Sequence, residues 1–239
     1  MIPVHIQGLN PDADAAVEDI RTSGGSMTYL GAAAALYISS SSASDTAPVI
    51  VVEAVDTDGN PVVLEATITG QTAALLNTND ATPVAQTALR VNKAYNKSGT
   101  ALVGDVYVFT TDTLSSGVPT TASKIQTKIL IGKEESEDAL FYVPNGMQLT
   151  DMKLQASILQ PATATAHVDI FVYVRESGGV FRIKYSGSMY LEGKSQLDYC
   201  FPDNVSFKAK SDVVVRVDTD TANGIVSCSL DGQLRFYGQ

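Results

Sequence analysis

The residues best suited to chemistry lie in one short stretch, Asp56-Thr57-Asp58-Gly59-Asn60, with Glu65 beyond it. Placing Gly59 sixth in a calcium-binding loop puts Asp56 third, Asp58 fifth and Glu65 twelfth, all ligand positions of that loop. Ala54 then falls first, where the pattern needs an acidic ligand, and strands rather than helices flank the stretch. The same residues spell a hairpin turn, with Asp and Gly supplying the backbone angles. A turn is therefore expected and no metal is assigned. Asp218-Thr219-Asp220-Thr221-Ala222-Asn223-Gly224 reads similarly, as an exposed loop ending in an Asn-Gly turn.

Other constellations fail on spacing or number. The sequence holds no Gly-rich phosphate loop between strand and helix, no nucleophile elbow, and no His-Glu-x-x-His or Cys-x-x-Cys. His5 lies beside Val4 and Ile6 and reads as a packing residue. His167 opens a strand with Asp169 on the same face, but no third group is evident, and acid–base catalysis needs a positioned substrate and usually a second group. A glycosidase needs two carboxylates in one cleft; it usually also has aromatic platforms, and Trp is absent. The expectation is a non-enzyme with no catalytic residues, cofactor or metal. Cys200 and Cys228 are too few for a disulfide scaffold. Free, mostly buried thiols are expected, although spacing leaves a pair open. Asn96-Lys97-Ser98 and Asn204-Val205-Ser206 match the glycosylation pattern, as chance allows.

Composition narrows the class. Of 239 residues, 44% are hydrophobic and 18% charged, which argues against disorder. The net charge of −10 disfavours nucleic-acid binding, which needs a basic footprint. Residues 1–123 hold four Lys/Arg against twelve Asp/Glu, and residues 124–239 hold twelve against fourteen. The longest apolar run, residues 29–38 with Gly31 inside, is far short of the ~20 residues that span a bilayer, so no membrane partner is expected. Met1-Ile2-Pro3-Val4-His5 lacks the charge and apolar pattern of a leader, so a cytoplasmic site of synthesis and assembly is expected.

The elements that would position these residues are strands. Residues 48–55 and 61–69 read as a hairpin across Asp56–Asn60, and residues 88–95 and 104–110 as later strands. Residues 125–131, 139–143, 147–159, 167–175, 180–185, 188–191, 213–217, 224–230 and 233–237 follow. In residues 147–159, Met147, Leu149, Lys153 and Gln155 are expected on one face, with Met152, Leu154, Ala156 and Ile158 on the other. Short strands with turn residues between them predict an all-β chain of antiparallel domains. The expected division is an arm at 1–30, a first β domain at 31–113, a linker at 114–123 and a jelly-roll or β-sandwich domain at 124–239. Asn10-Pro11-Asp12 could cap a helical turn through Ala13, Ala16, Val17 and Ile20. Ile2, Val4, Ile6 and Leu9 of the arm are the candidate partner-binding residues, able to add a strand to a neighbour's sheet.

Certain motifs carry a further likeness. Ser44-Asp45-Thr46-Ala47, then Asp56-Thr57-Asp58-Gly59-Asn60, then Leu89-Arg90-Val91-Asn92-Lys93-Ala94-Tyr95, then Tyr142-Val143-Pro144-Asn145-Gly146 occur in that order. The order resembles structural proteins of tailed bacteriophages, with Asn145 in place of an Ala. The likeness spans roughly residues 20–185 and is closest to capsid decoration, or cement, proteins. It implies a virion component on the capsid exterior, binding the major capsid protein as a homo-oligomer, a trimer being favoured. A neck, tail or head-fibre protein is the alternative within that family, and a carbohydrate-binding module or hydrolase lies outside it.

Overall fold

The computed structural model describes residues 1–78, 84–160, 167–190, 195–220 and 224–237. The chain begins with β1 (Ile2–Ala13) and β2 (Glu18–Asp19). Next come β3 (Ala34–Ala35), β4 (Tyr37–Ser40), β5 (Val49–Val55), β6 (Pro61–Thr67), β7 (Ala74–Leu75), β8 (Asn77–Thr78) and β9 (Thr87–Ala88). β10 (Arg90–Asn96), β11 (Val106–Phe109), β12 (Leu114–Ser115), β13 (Val118–Pro119) and β14 (Ile125–Ile129) follow. The last group is β15 (Leu140–Tyr142), β16 (Met147–Gln160), β17 (His167–Glu176), β18 (Arg182–Tyr190), β19 (Gln196–Cys200), β20 (Ser211–Thr219) and β21 (Gly224–Phe236). The fold is all-β and antiparallel, as expected; one 3-10 turn, Ala122–Lys124, is the helical content of the described residues.

Two compact units form, and the first is built from both ends of the chain: Met1–Ser26 with Glu137–Gln239. Its two sheets run β1-β21-β16-β19 and β15-β20-β17-β18, with β2 also on β20. Counting β1 and β15 to β21 as eight strands, the sheets hold strands 1-8-3-6 and 2-7-4-5. That order is the jelly roll, two interleaved Greek keys. Alternation explains the core. Val168, Ile170, Val172 and Val174 of β17 face Leu154, Ala156, Val226, Cys228 and Leu230 of the other sheet, all buried. Each Val, Leu or Ile among them contributes about 1.5–3 kcal/mol when buried. Tyr185 of β18 stacks on Tyr199 of β19, ring centroids 4.0 Å apart, and joins the two sheets at their free edges.

The second unit, Met27–Ser136, carries its own core. Sheet β10-β5-β6-β8 packs on sheet β14-β11-β4-β7 through Ile50, Val52 and Leu64 on one side and Ile38, Val106, Val108 and Ile129 on the other. The chain thus enters the jelly roll, leaves it after Ser26, and returns at Glu137.

This division corrects the expected one. Residues 1–30 are no arm: β1 is the first jelly-roll strand, paired with β21 from Ile2↔Leu234 to Asn10↔Val226. The expected helical turn is absent. Asn10 instead accepts the Asp12 amide at 2.9 Å where the register shifts before Ala13, so Asn-Pro-Asp marks a bulge. Ala13 and Ile20 are fully buried in the jelly-roll core rather than on a helix. Residues 114–123 are no linker either. β12 and β13 form a hairpin whose Ser116 and Gly117 both have positive φ, the two-residue turn that matches strand twist. A Cβ on Gly117 would lie 1.9 Å from the Ser40 carbonyl oxygen, and Ser39 donates to the Gly117 carbonyl at 2.6 Å. The charge contrast between halves also dissolves. The jelly-roll unit holds ten Lys/Arg and sixteen Asp/Glu, the inserted unit six and ten, so nets of −6 and −4 replace −8 and −2.

Two strand readings change as well. Asp151 has φ 51° and the register shifts between Thr150 and Lys153, so β16 changes phase there. Leu149 and Met152, expected on opposite faces, are therefore both buried in the same core. The strands expected at 180–185 and 188–191 are one strand through Tyr190; Leu191 lies outside the described residues.

Candidate functional site

The Asp56 stretch is a closed turn. Asp56 accepts the amides of Asp58 at 2.9 Å and Asn60 at 2.8 Å on one carboxylate oxygen, and the Asn60 side-chain amide at 3.2 Å on the other. Partial desolvation pushes its pKa up, but the hydrogen bonds from Asn60, Asp58 and Gly59 outweigh that and hold the carboxyl below its ordinary value. Glu65 faces elsewhere and pairs with Lys97 at 2.9 Å. Among the described residues, no group of three or more His, Cys, Asp or Glu is arranged to hold a metal ion. The loop expected at 218–224 lies partly outside the described residues, since 221–223 are not described.

Of the candidate partner-binding residues, Ile6 is buried in the core and Val4 packs against it. Leu9 is half-buried, and its amide donates to the Glu137 carbonyl at 2.9 Å. These residues do add a strand to a sheet edge, but to their own sheet. Ile2 stays exposed. It and Phe236 lie on the inner face of the first sheet where that face outruns the core, and Met1 and Tyr237 adjoin them; all four are exposed. Gly8 makes the crossing at this edge feasible: a Cβ there would lie 2.5 Å from the Ala139 methyl and 2.8 Å from the Ile20 carbonyl oxygen.

His5 is not a packing residue. It lies on the outer face of the first sheet and meets Asp231 at 2.5 Å. That face holds a shallow groove of about 330 Å³, with Ser157 and Ser227 in its floor and Gln7, Gln155 and Asp198 among its walls. Its polar groups largely satisfy one another: Ser157 with Ser227 at 2.9 Å, Gln155 with Asp198 at 2.7 Å, Gln7 with Glu137 at 3.0 Å. Cys200 is exposed and Cys228 buried, both free. Burial pushes the Cys228 thiol far up, so it is an inert core residue. Cys200, expected buried, lies on the outward side of an edge strand.

His167 gains partners that sequence reasoning missed. Its Nε2 is 3.1 Å from Asp169, and Ser188 donates to the same carboxylate oxygen at 2.5 Å. Tyr190 lies across the ladder from His167, their rings 5.0 Å apart at 32°. The order of contacts matters. In a hydrolase triad His stands between Ser and the acid and takes the Ser proton. Here Asp169 stands between Ser188 and His167, so nothing activates the hydroxyl. The signal in the sequence was incomplete: the register set at the Gly178-Gly179 turn shifts by one residue at a bulge between Val172 and Tyr173, and only that shift brings His167 opposite Tyr190 and Asp169 opposite Ser188.

No protein-family profile matches the chain, and no curated protein matches it. One solved structure, the infectious bursal disease virus VP2 subviral particle, is 8% identical and covers 96% of this chain and 71% of its own, at a TM-score of 0.24. A likeness that weak carries no argument about fold or function.

Proposed function

We propose that this chain is a non-enzymatic virion structural protein of a tailed bacteriophage, bound to the outside of the capsid and stabilising it as a decoration protein. The observation that carries the reading is what the shared motifs do. Asp45 of the Ser-Asp-Thr-Ala stretch is buried and receives Ser40 at 2.5 Å and the amides of Val103 and Gly104 at 2.9 and 3.0 Å. Asp56 closes its hairpin. Arg90 donates to the Leu30 carbonyl at 2.9 Å and lies over the Tyr29 ring. Tyr142 to Gly146 joins the second jelly-roll strand to the third. Such motifs instruct a fold, so proteins that share their order share its instructions. Jelly rolls recur in viral capsid proteins and in lectins; the motif order favours the former.

Under this reading the partner is the major capsid protein, and the protein is a homo-oligomer with a trimer favoured. Many modest contacts to a repeating shell add through multivalency. The exposed apolar rim of Met1, Ile2, Phe236 and Tyr237 is the contact surface. Sedimentation with purified phage heads tests it. The protein should co-sediment and raise the temperature at which heads release DNA, and a doubly substituted Ile2→Asp, Phe236→Asp protein should do neither. A stable monomer that ignores heads would exclude the proposal, and labelling confined to neck, tail or fibres would move the protein to those parts.

A further inference from the structure

We infer that the outer face of the second jelly-roll sheet carries a binding site for neutral carbohydrate, centred on Tyr190. The cluster is built from three adjacent strands. β18 supplies Ser188 and Tyr190, β17 supplies His167 and Asp169, and β20 supplies Asp218, which lies directly opposite Asp169. Tyr190 is 52% exposed. Its ring is backed by His167, which Asp169 in turn holds in place.

Folding alone does not account for this arrangement. The side chains lie outside the core, since Val168, Ile170, Met189 and Val217 are the inward residues of these strands. Like charges directly opposite each other on neighbouring strands are destabilising, yet Asp169 and Asp218 face each other. Ser188 and His167 share one oxygen of Asp169. Among the described residues, the other oxygen of Asp169 and the carboxylate of Asp218 have no side-chain partner. Two free acceptor groups thus stand on the same sheet face as an exposed, oriented aromatic plane, on the next two strands of the sheet.

A pyranose ring matches that pair of features. Its apolar C–H face covers an aromatic plane, and its hydroxyls donate to carboxylates in charge-assisted hydrogen bonds. The adjacent carboxylates of Asp169 and Asp218 repel an anionic sugar, so uronate chains are rejected and neutral or N-acetylated sugars accepted. The groove around Ser157 differs, because no Phe or Tyr lines it and its polar groups largely pair with one another.

The test is calorimetric titration of the full-length protein with maltohexaose, cellohexaose and chitohexaose, and with oligogalacturonate as the acidic probe. At least one neutral oligosaccharide should bind and oligogalacturonate should not. Tyr190→Ala should weaken binding about tenfold or more, near 1.4 kcal/mol, and Asp169→Asn should weaken it too. Val180→Ala, which trims an exposed apolar side chain outside the cluster, should leave it unchanged. Circular dichroism confirms that each variant is folded. Absence of binding to all three neutral probes, equal binding of the acidic one, or a folded Tyr190→Ala protein that binds like the parent would overturn the inference. None of these outcomes depends on capsid binding.

Discussion

The jelly-roll unit and the inserted unit solve the same problem in different ways. In the jelly roll, β16 has 14 residues, β21 has 13 and β1 has 12, and 24 described residues form the buried apolar cluster. Among the described residues of the inserted unit no strand exceeds 7 residues and the cluster has 14. Long strands fix their own register, because a slip of one residue would turn a whole apolar face to water. Short strands cannot, and the inserted unit pins its loops with side chains that hydrogen-bond backbone. Asp45, Asp56, Asp112 and the Ser136 hydroxyl all do this. The lesson is that apolar pattern specifies the first unit and placed polar residues specify the second.

Substitutions can break this contrast. The largest effect should come from Gly117→Ala, which combines a positive φ with a clash against the Ser40 backbone. A loss of about 4 kcal/mol is expected, read as a lowered melting transition of the inserted unit alone. Leu154→Ala should cost the jelly roll about 3 kcal/mol through its cavity, leaving the inserted unit's transition in place. Asp45→Ala should cost the inserted unit about 2 kcal/mol, since two amides and a hydroxyl lose their acceptor. Calorimetry that resolves two transitions checks all three, and a shift in the wrong transition would blur the proposed division.

The smallest effect concerns acid. Desolvation works against the charged forms of Asp56 and Asp112, but hydrogen bonds, led by the backbone amides of Asn60 and Thr121 respectively, outweigh it and lower both pKa values. A carboxyl whose folded pKa is depressed contributes stability above its unfolded pKa and loses it as pH falls through the folded one. The inserted unit's melting temperature should therefore drop as pH falls below the ordinary Asp value of 3.8. Asp56→Asn should make that drop shallower; an unchanged pH profile would show that the turn contributes nothing through its charge.

Much of this was legible in the sequence where information is local. Val168, Ile170, Val172 and Val174 announced their strand by alternation, and Asp56-Thr57-Asp58-Gly59-Asn60 announced its turn by residue type. What stayed hidden depends on distant partners. Ile2 to Ala13 reads as a loose arm because its partner, β21, lies more than two hundred residues away. The bulge at Asp151 hides in an otherwise regular pattern, since Asp, although enriched at positive φ among non-Gly residues, takes it at only a small share of its positions. Ser115-Ser116-Gly117 resembles a linker in composition, and only the tight approach to Ser40 distinguishes it. The Tyr190 cluster needed the register of one hairpin, which shifts at a bulge between Val172 and Tyr173 that residue type does not announce.

The central structural claim is that one β unit interrupts another. The jelly roll holds both ends of the interruption with its own bonds: the Ala139 amide donates to the Ile20 carbonyl at 2.8 Å, and the Thr22 amide to Asp138 at 2.9 Å. The direct measurement is to replace residues 27–136 with a short Gly-Ser link and record an amide correlation spectrum and a thermal melt, alongside residues 27–136 expressed alone. Both proteins should give dispersed β-type spectra and cooperative melts. An excised jelly roll without a cooperative transition, or a fragment 27–136 that stays unfolded, would contradict the account.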